Sequence, residues 1–118
     1  SHAIAARARD AAGNMTVSAV VTVTVTNASA NPLATFTWIS ANILVPKCTA
    51  CHGAGRADKG VRYDTYAFTK GTVVVNNINA STLYSECKSG SMPIGSPMLT
   101  AAQLKNIADW INAGALNN

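Results

Sequence analysis

Three residues near the middle of the chain bring two thiols and an imidazole together at short spacing. Cys48 and Cys51 are separated by two residues, and His52 follows directly. Two thiols at this spacing can each add across a vinyl group on the same porphyrin edge, while the next residue directs its imidazole to the iron. Cys-x-x-Cys-His is the attachment signature of haem c. We therefore expect one covalently bound haem c per chain, and we call residues 48–52 the attachment motif.

Two other kinds of site use cysteines at this spacing. A thioredoxin-like redox pair stands at the start of a helix that follows a strand, in a βαβ context that this sequence does not show. A zinc site needs four ligands, and outside the attachment motif only Cys87 and His2 remain to complete one. The three cysteines are an odd number, so they cannot all pair within the chain.

A methionine further along the chain has the properties of a second iron ligand. Met92 stands 40 residues after His52, is followed by Pro93 and precedes the predicted terminal helix. A six-coordinate haem needs a ligand on each face, and a thioether carried by a loop can supply the second one. Met98 is the competing methionine, but it lies beside Leu99 and is expected to pack in the core.

On these motifs, residues 34–118 resemble a class I c-type cytochrome domain. The resemblance implies a mainly α protein with the small cytochrome c helical fold around one covalent haem, in which the terminal helix packs across the first helix. It implies that His52 is the proximal and Met92 the distal iron ligand, and it places Pro93, Leu99 and Trp110 against the haem. The matched positions are the attachment motif, Met92-Pro93, and Leu99-Thr100-Ala101-Ala102-Gln103-Leu104 running into Ile107, Trp110, Ile111 and Gly114.

The ligand set implied by the resemblance determines the expected function. Methionine fills the sixth iron position and raises the reduction potential, so we expect one-electron transfer between redox proteins and no enzymatic activity. Haem c is attached outside the cytoplasm, which predicts a periplasmic or extracellular protein. Two alternatives remain open: the chain is the electron outlet of a larger dehydrogenase, or Met92 dissociates to give a peroxidase-like or sensor site.

Capped helices are expected to position these residues. The first predicted helix has Thr35 as its N-cap and stops at Pro46, and a short second helix covers residues 63–68. The third helix has Asn79 or Ser81 as its N-cap and ends at Gly90. The terminal helix begins with a Thr100/Gln103 capping box and ends at Gly114.

The N-terminal part alternates apolar and polar residues with a period of two, which is typical of β strands. Two such runs flank a loop at residues 11–16 and predict an antiparallel hairpin. The pattern from His2 to Asn14, followed by a Val/Thr strand, resembles the last two strands of bacterial immunoglobulin-like repeats. The predicted apolar face consists of Ile4, Ala6, Ala8, Val21, Val23 and Val25.

A lone two-stranded hairpin is marginally stable in water, and the only other strand-like run is residues 72–75. We therefore expect the hairpin to pair with strands outside this segment. Pairing between copies would make a homo-oligomer or polymer, and the chain would then be the haem subunit of a self-assembling extracellular electron conduit. The expected organisation is a hairpin at 1–27, a linker at 28–33 and a haem domain at 34–118.

Composition excludes several classes of protein. Charged residues make up 12% of the 118, with nine basic against five acidic, and the basic ones are scattered rather than clustered as in a nucleic-acid binder. No apolar run reaches the roughly 18 to 20 residues of a membrane span. Residues 1–12 lack the pattern of a signal peptide, so we expect a processed or excised chain. Because aromatic residues are few, the haem is expected to supply bulk to the core.

The remaining side chains have structural explanations as well as functional ones. Cys87 is expected to be a buried thiol beside Leu83 and Tyr84, with an intermolecular disulfide as the alternative. Three aromatic residues can form core or bind haem propionates: Tyr66, Tyr84 and Trp110. Four basic residues can be solvated or can dock an acidic partner: Lys47, Arg56, Lys59 and Lys88.

Overall fold

A computed structural model of the chain describes residues 1–24 and 31–118. The predicted linker residues 28–30, and Val25 of the predicted apolar face, lie outside the described residues. In chain order the elements are β1 His2–Ile4, β2 Arg7–Arg9, β3 Met15–Val17, β4 Val21–Val23, α1 Phe36–Ile39, a π-helical turn Ser40–Leu44, α2 Val45–Lys47, β5 His52–Gly53, β6 Arg56–Ala57, a 3-10 turn Asp58–Gly60, α3 Tyr66–Lys70, α4 Thr82–Ser89 and α5 Ala101–Asn112.

The predicted N-terminal hairpin is confirmed, but its loop is shorter than the predicted residues 11–16, because β3 begins at Met15. β1 pairs with β4 and β2 with β3, both antiparallel, with Ile4 opposite Val21 and Arg7 opposite Val17. Ile4 and Arg7 are three residues apart whereas their partners are four apart, so the second strand carries one extra residue, as in a β-bulge. At this point Ser18 Oγ accepts a hydrogen bond of 2.9 Å from the backbone N–H of Ala6.

The apolar side chains of the hairpin remain exposed in the described part of the chain. Ile4 is 56% and Val21 is 62% exposed, although they lie directly opposite each other on one face. The predicted face does not continue along the hairpin, because beyond the bulge Val17 and Met15 lie opposite Arg7 and Arg9. Only the end that carries β1 and β4 therefore has the predicted apolar face.

The first helix begins as predicted but ends later. Thr35 caps it, since its hydroxyl accepts a 3.2 Å hydrogen bond from the N–H of Trp38. Pro46 does not stop the helix, which continues to Lys47. A proline inside a helix has no N–H, and its ring crowds the carbonyl four residues earlier. Here the preceding turn is widened to a π turn, with the N–H of Val45 bonded to the carbonyl of Ser40, and the wider turn accommodates the ring.

The later elements follow the predicted caps more closely. α4 ends at Gly90, whose φ of 83° is left-handed, and α5 begins with the predicted reciprocal capping box between Thr100 and Gln103. α3 begins at Tyr66 rather than at residue 63, because Thr65 is its N-cap. Residues 72–75 do not form a strand; Val74 and Asn77 form an isolated bridge that closes a tight turn.

The core lies within residues 34–118. α1 and the π turn contribute Ile39, Ile43 and Leu44, and α4 contributes Leu83. α5 contributes three fully buried side chains, those of Ile107, Trp110 and Ile111. α5 contacts α1, with the ring centroids of Phe36 and Trp110 6.0 Å apart. α5 has twelve residues, as has the continuous run from Phe36 to Lys47, and no helix in the described part of the chain is long and apolar enough to cross a membrane.

The prediction of a mainly α fold, the small cytochrome c helical fold, is wrong. Of the described residues, 36% are helical and 16% are in strands, with short helices and small hairpin sheets, and they do not fall clearly into another class either. One reason is the hairpin, which adds strands but no helix. The other is that loops and turns separate short helices: α3 has five residues and α4 eight, and the chain from His52 to Ala57 folds back as the short β5–β6 pair.

Candidate functional site

The attachment motif is one tight turn that follows α2. The backbone N–H groups of Cys51 and His52 both donate to the carbonyl of Cys48, at 3.1 and 2.8 Å. The N–H of Cys48 in turn donates to the carbonyl of Leu44 at 2.8 Å, which ties the turn to the preceding helix. Two thiols and one imidazole are therefore carried on five consecutive residues whose backbone is held by its own hydrogen bonds.

His52 is buried and has one ring nitrogen committed. Its Nδ1 lies 3.3 Å from the backbone carbonyl of Val61, an acceptor, so a proton on Nδ1 is the arrangement that satisfies both atoms. The lone pair is then on Nε2. A histidine that binds a metal commonly donates its other ring N–H to a carbonyl in this way, which fixes the tautomer and the ring orientation.

Gly53 is required by the close packing of this turn. A Cβ at this position would lie 2.5 Å from the carbonyl oxygen of Thr49, a distance that real Cβ atoms essentially never show. The sequence alone does not distinguish Gly53 from Gly55, which lies two residues further on. Glycine is needed here because the carbonyl oxygen of Thr49 lies so close, and no local sequence signal reveals this contact.

The buried cysteines are held as neutral thiols. Cys48 and Cys87 are buried and form no disulfide. Burial raises the pKa of Cys48 to about 12; the nearby Cys87 raises it further, and Lys47 opposes the rise. Burial also raises the pKa of Cys87 to about 11. The prediction that Cys87 is a buried thiol is confirmed. Cys51 is half-buried and is the more accessible thiol of the attachment motif.

Residues 91–100, which connect α4 to α5 and which we call the methionine loop, lie next to the attachment motif. Met92 is half-buried against the core cluster that contains Cys48, and its N–H donates to the carbonyl of Glu86 at 3.1 Å. Lys47 Nζ donates to the carbonyl of Pro97 at 2.9 Å, so the residue before Cys48 is tied to the loop that carries Met92. This link between the two predicted halves of the site was not visible in the sequence.

The other residues singled out in the sequence differ in how deeply they are buried. Pro93, Leu99 and Trp110 are buried. Met98 is 52% exposed, so the prediction that it packs in the core is wrong. Its neighbour Leu99, 7% exposed, occupies the buried position ahead of α5 instead.

The aromatic hydrogen-bond donors are used within the chain. Tyr66 Oη donates to the carbonyl of Ala115 at 2.9 Å, and Trp110 Nε1 donates to the carbonyl of Leu116 at 2.8 Å. These two side chains thus hold the C-terminal segment against the core. Among the basic residues, Lys59 and Lys88 are exposed, and Arg56 pairs with Asp58 at 2.8 Å.

These residues fit a covalent haem. Two thiols, a buried imidazole and a half-buried thioether are the kinds of donor that a His/Met-ligated haem c uses. Within residues 1–24 and 31–118 no group of three or more His, Cys, Asp or Glu side chains is arranged to hold a metal ion. A haem iron takes only two protein ligands, which His52 and Met92 would supply. No protein-family model, curated protein or solved structure matches the chain.

Proposed function

We propose that the chain is an exported one-electron carrier with a single c-type haem. The observation that carries the proposal is His52, a buried imidazole directly after the cysteine pair, with Nδ1 on the Val61 carbonyl and Nε2 left for a metal. Cys48 and Cys51 would hold the haem through thioether bonds, and His52 and Met92 would ligate the iron.

The residues of the chain supply the constraints that a reversible electron carrier needs. When bound, the haem supplies a one-electron change between ferric and ferrous iron. The Val61 carbonyl holds the proton of His52 on Nδ1, so the same nitrogen of the ring remains the donor in both oxidation states. The Lys47–Pro97 hydrogen bond keeps the methionine loop beside the attachment motif. With Met92 in the sixth position no open site is left for substrate, which favours electron transfer over an enzymatic role.

Location and partners follow from the same proposal. Haem c is attached outside the cytoplasm, so the protein would act in the periplasm or beyond the cell. Its partners would be other redox proteins, and the exposed Lys59 and Lys88 carry positive charge that an acidic partner could approach.

A matched pair of variants tests the ligand assignment. Met92→Ala should retain covalent haem but lose the iron–methionine charge-transfer band in the oxidised form and have a lower reduction potential. Met98→Ala is the control, because this side chain is more than half exposed, and it should keep both properties. A Met98 variant that loses the band while the Met92 variant keeps it would contradict the assignment.

A second candidate function, assembly, is favoured by the hairpin. In the described part of the chain both outer edges of the hairpin pair with no other strand, and Ile4 and Val21 stay exposed on one face. Unpaired edges of this kind readily add strands from another chain. We infer that hairpins of neighbouring copies pair and bring their haem sites into a regular array.

Sedimentation of the full-length chain tests assembly. Val21→Lys should reduce association, since it places a charge on the apolar face. Thr22→Lys, on the opposite face of the same strand, is the matched control and should have little effect. A wild-type chain that sediments as a monodisperse monomer at all concentrations would reject assembly and leave the electron-transfer proposal standing.

A further inference from the structure

Tyr63 contacts His52 through both its backbone and its ring. The N–H of Tyr63 donates to the carbonyl of His52 at 2.7 Å. The two side-chain rings meet edge to face, with centroids 5.5 Å apart and planes inclined at 74°. No signal in the sequence connected these residues, because Tyr63 lies beyond the loop that follows the attachment motif.

Tyr63 is itself held in place. Its side chain is buried, and the hydroxyl of Thr72 lies beside its phenol. That hydroxyl donates at 2.7 Å to the carbonyl of Thr69, a fully buried residue of α3. Burial raises the pKa of Tyr63 to about 12, partly offset by the Thr72 side chain, so the phenol stays neutral. The ring that meets His52 is therefore held by its burial and by the backbone hydrogen bond to His52.

The hydrogen bond to the Val61 carbonyl does not by itself fix the plane of the His52 imidazole. A single contact at Nδ1 fixes the tautomer and one point of the ring, but the ring can still tilt about the Nδ1···O line. An edge-to-face neighbour opposes that tilt, because such aromatic pairs prefer one relative orientation. An aliphatic side chain of similar size would fill the space without this directional preference.

We propose that Tyr63 is a positioning residue that sets the plane of the His52 imidazole in the haem-loaded chain. The inference rests on the proposed function, because it concerns His52 as an iron ligand. It assigns the ring of Tyr63, not its hydroxyl, as the part that orients the ligand.

Three variants of the full-length, haem-loaded chain test this inference. The readouts are the g values of the low-spin ferric form and the spread of the haem-methyl shifts in its NMR spectrum, both of which depend on the orientation of the axial imidazole. Tyr63→Leu should shift the g values and change the methyl spread. Tyr63→Phe should keep the wild-type pattern. Tyr66→Leu, which removes another aromatic ring from the core edge, should lower stability and leave both readouts unchanged.

The outcomes separate the inference from the proposed function. A wild-type chain with a His/Met spectrum and a Tyr63→Leu variant with unchanged g values and methyl spread would overturn the inference alone. If the leucine variant cannot be loaded, Tyr63→Phe decides, because a changed pattern there would also overturn it. A wild-type chain without covalent haem would overturn the proposed function, and the inference with it.

Discussion

Gly53→Ala should destabilise the chain by crowding the attachment motif. The added Cβ would lie 2.5 Å from the carbonyl oxygen of Thr49 and 3.5 Å from its carbonyl carbon. These are backbone atoms of the same turn, so they cannot swing aside as the end of a flexible side chain would. Extra atoms forced into a packed site cost about 1–3 kcal/mol. Because the turn also carries Cys48 and His52, the strain falls on the residues proposed to hold the haem.

Gly55→Ala is the matched control for this experiment. Gly55 is exposed in the same loop, and a Cβ there would meet nothing within 4 Å. Its replacement should be neutral or stabilising by up to about 1 kcal/mol through the lower entropy of the unfolded chain. Guanidinium unfolding of the loaded chains, compared by midpoint at equal slope, measures both changes. Equal midpoints for Gly53→Ala and Gly55→Ala would refute the close approach to Thr49.

Three further predictions concern other parts of the chain. Thr100→Ala removes the hydroxyl that accepts the N–H of Gln103 at 3.2 Å, and should lower the free energy of unfolding by about 1 kcal/mol; unchanged stability would contradict the cap. Cys87 should resist alkylation in the native chain at mildly alkaline pH and react in denaturant, because burial hides it and raises its pKa to about 11; rapid native labelling in an intact-mass assay would contradict this. The hydrogen bond from Lys105 lowers the pKa of Asp109 below its ordinary value of 3.8, so the pair contributes stability above that pH and loses it as the pH falls through the folded pKa. Asp109→Asn should therefore be less stable than wild type near neutral pH, by under about 1 kcal/mol for so accessible a pair, and equal to it in strong acid.

Features determined by neighbouring residues were predictable from the sequence. The cap at Thr35, the capping box that begins at Thr100 and the left-handed end at Gly90 each depend on a few consecutive residues. The same holds for the hairpin, whose period of two and polar turn are local signals. Haem attachment at Cys48 and Cys51 also depends on local spacing, and it stays a prediction.

Features determined by distant contacts were not predictable. The ring contact of Tyr63 with His52 and the Lys47–Pro97 hydrogen bond join residues that only the folded backbone brings together. The sequence does not show which of Met98 and Leu99 is buried, because that depends on how the chain enters α5. The mainly α prediction failed for a related reason: apolar spacing indicates where helices lie but does not reveal how short they are or how much of the chain pairs as strands.

Intact-mass measurement of the denatured chain, combined with its visible spectrum, tests the central claim most directly. The account predicts the mass of the polypeptide plus one haem, no alkylation at Cys48 or Cys51, and the spectrum of a low-spin haem c. The bare polypeptide mass with both of these thiols free, or a chain that retains zinc in place of haem, would contradict it.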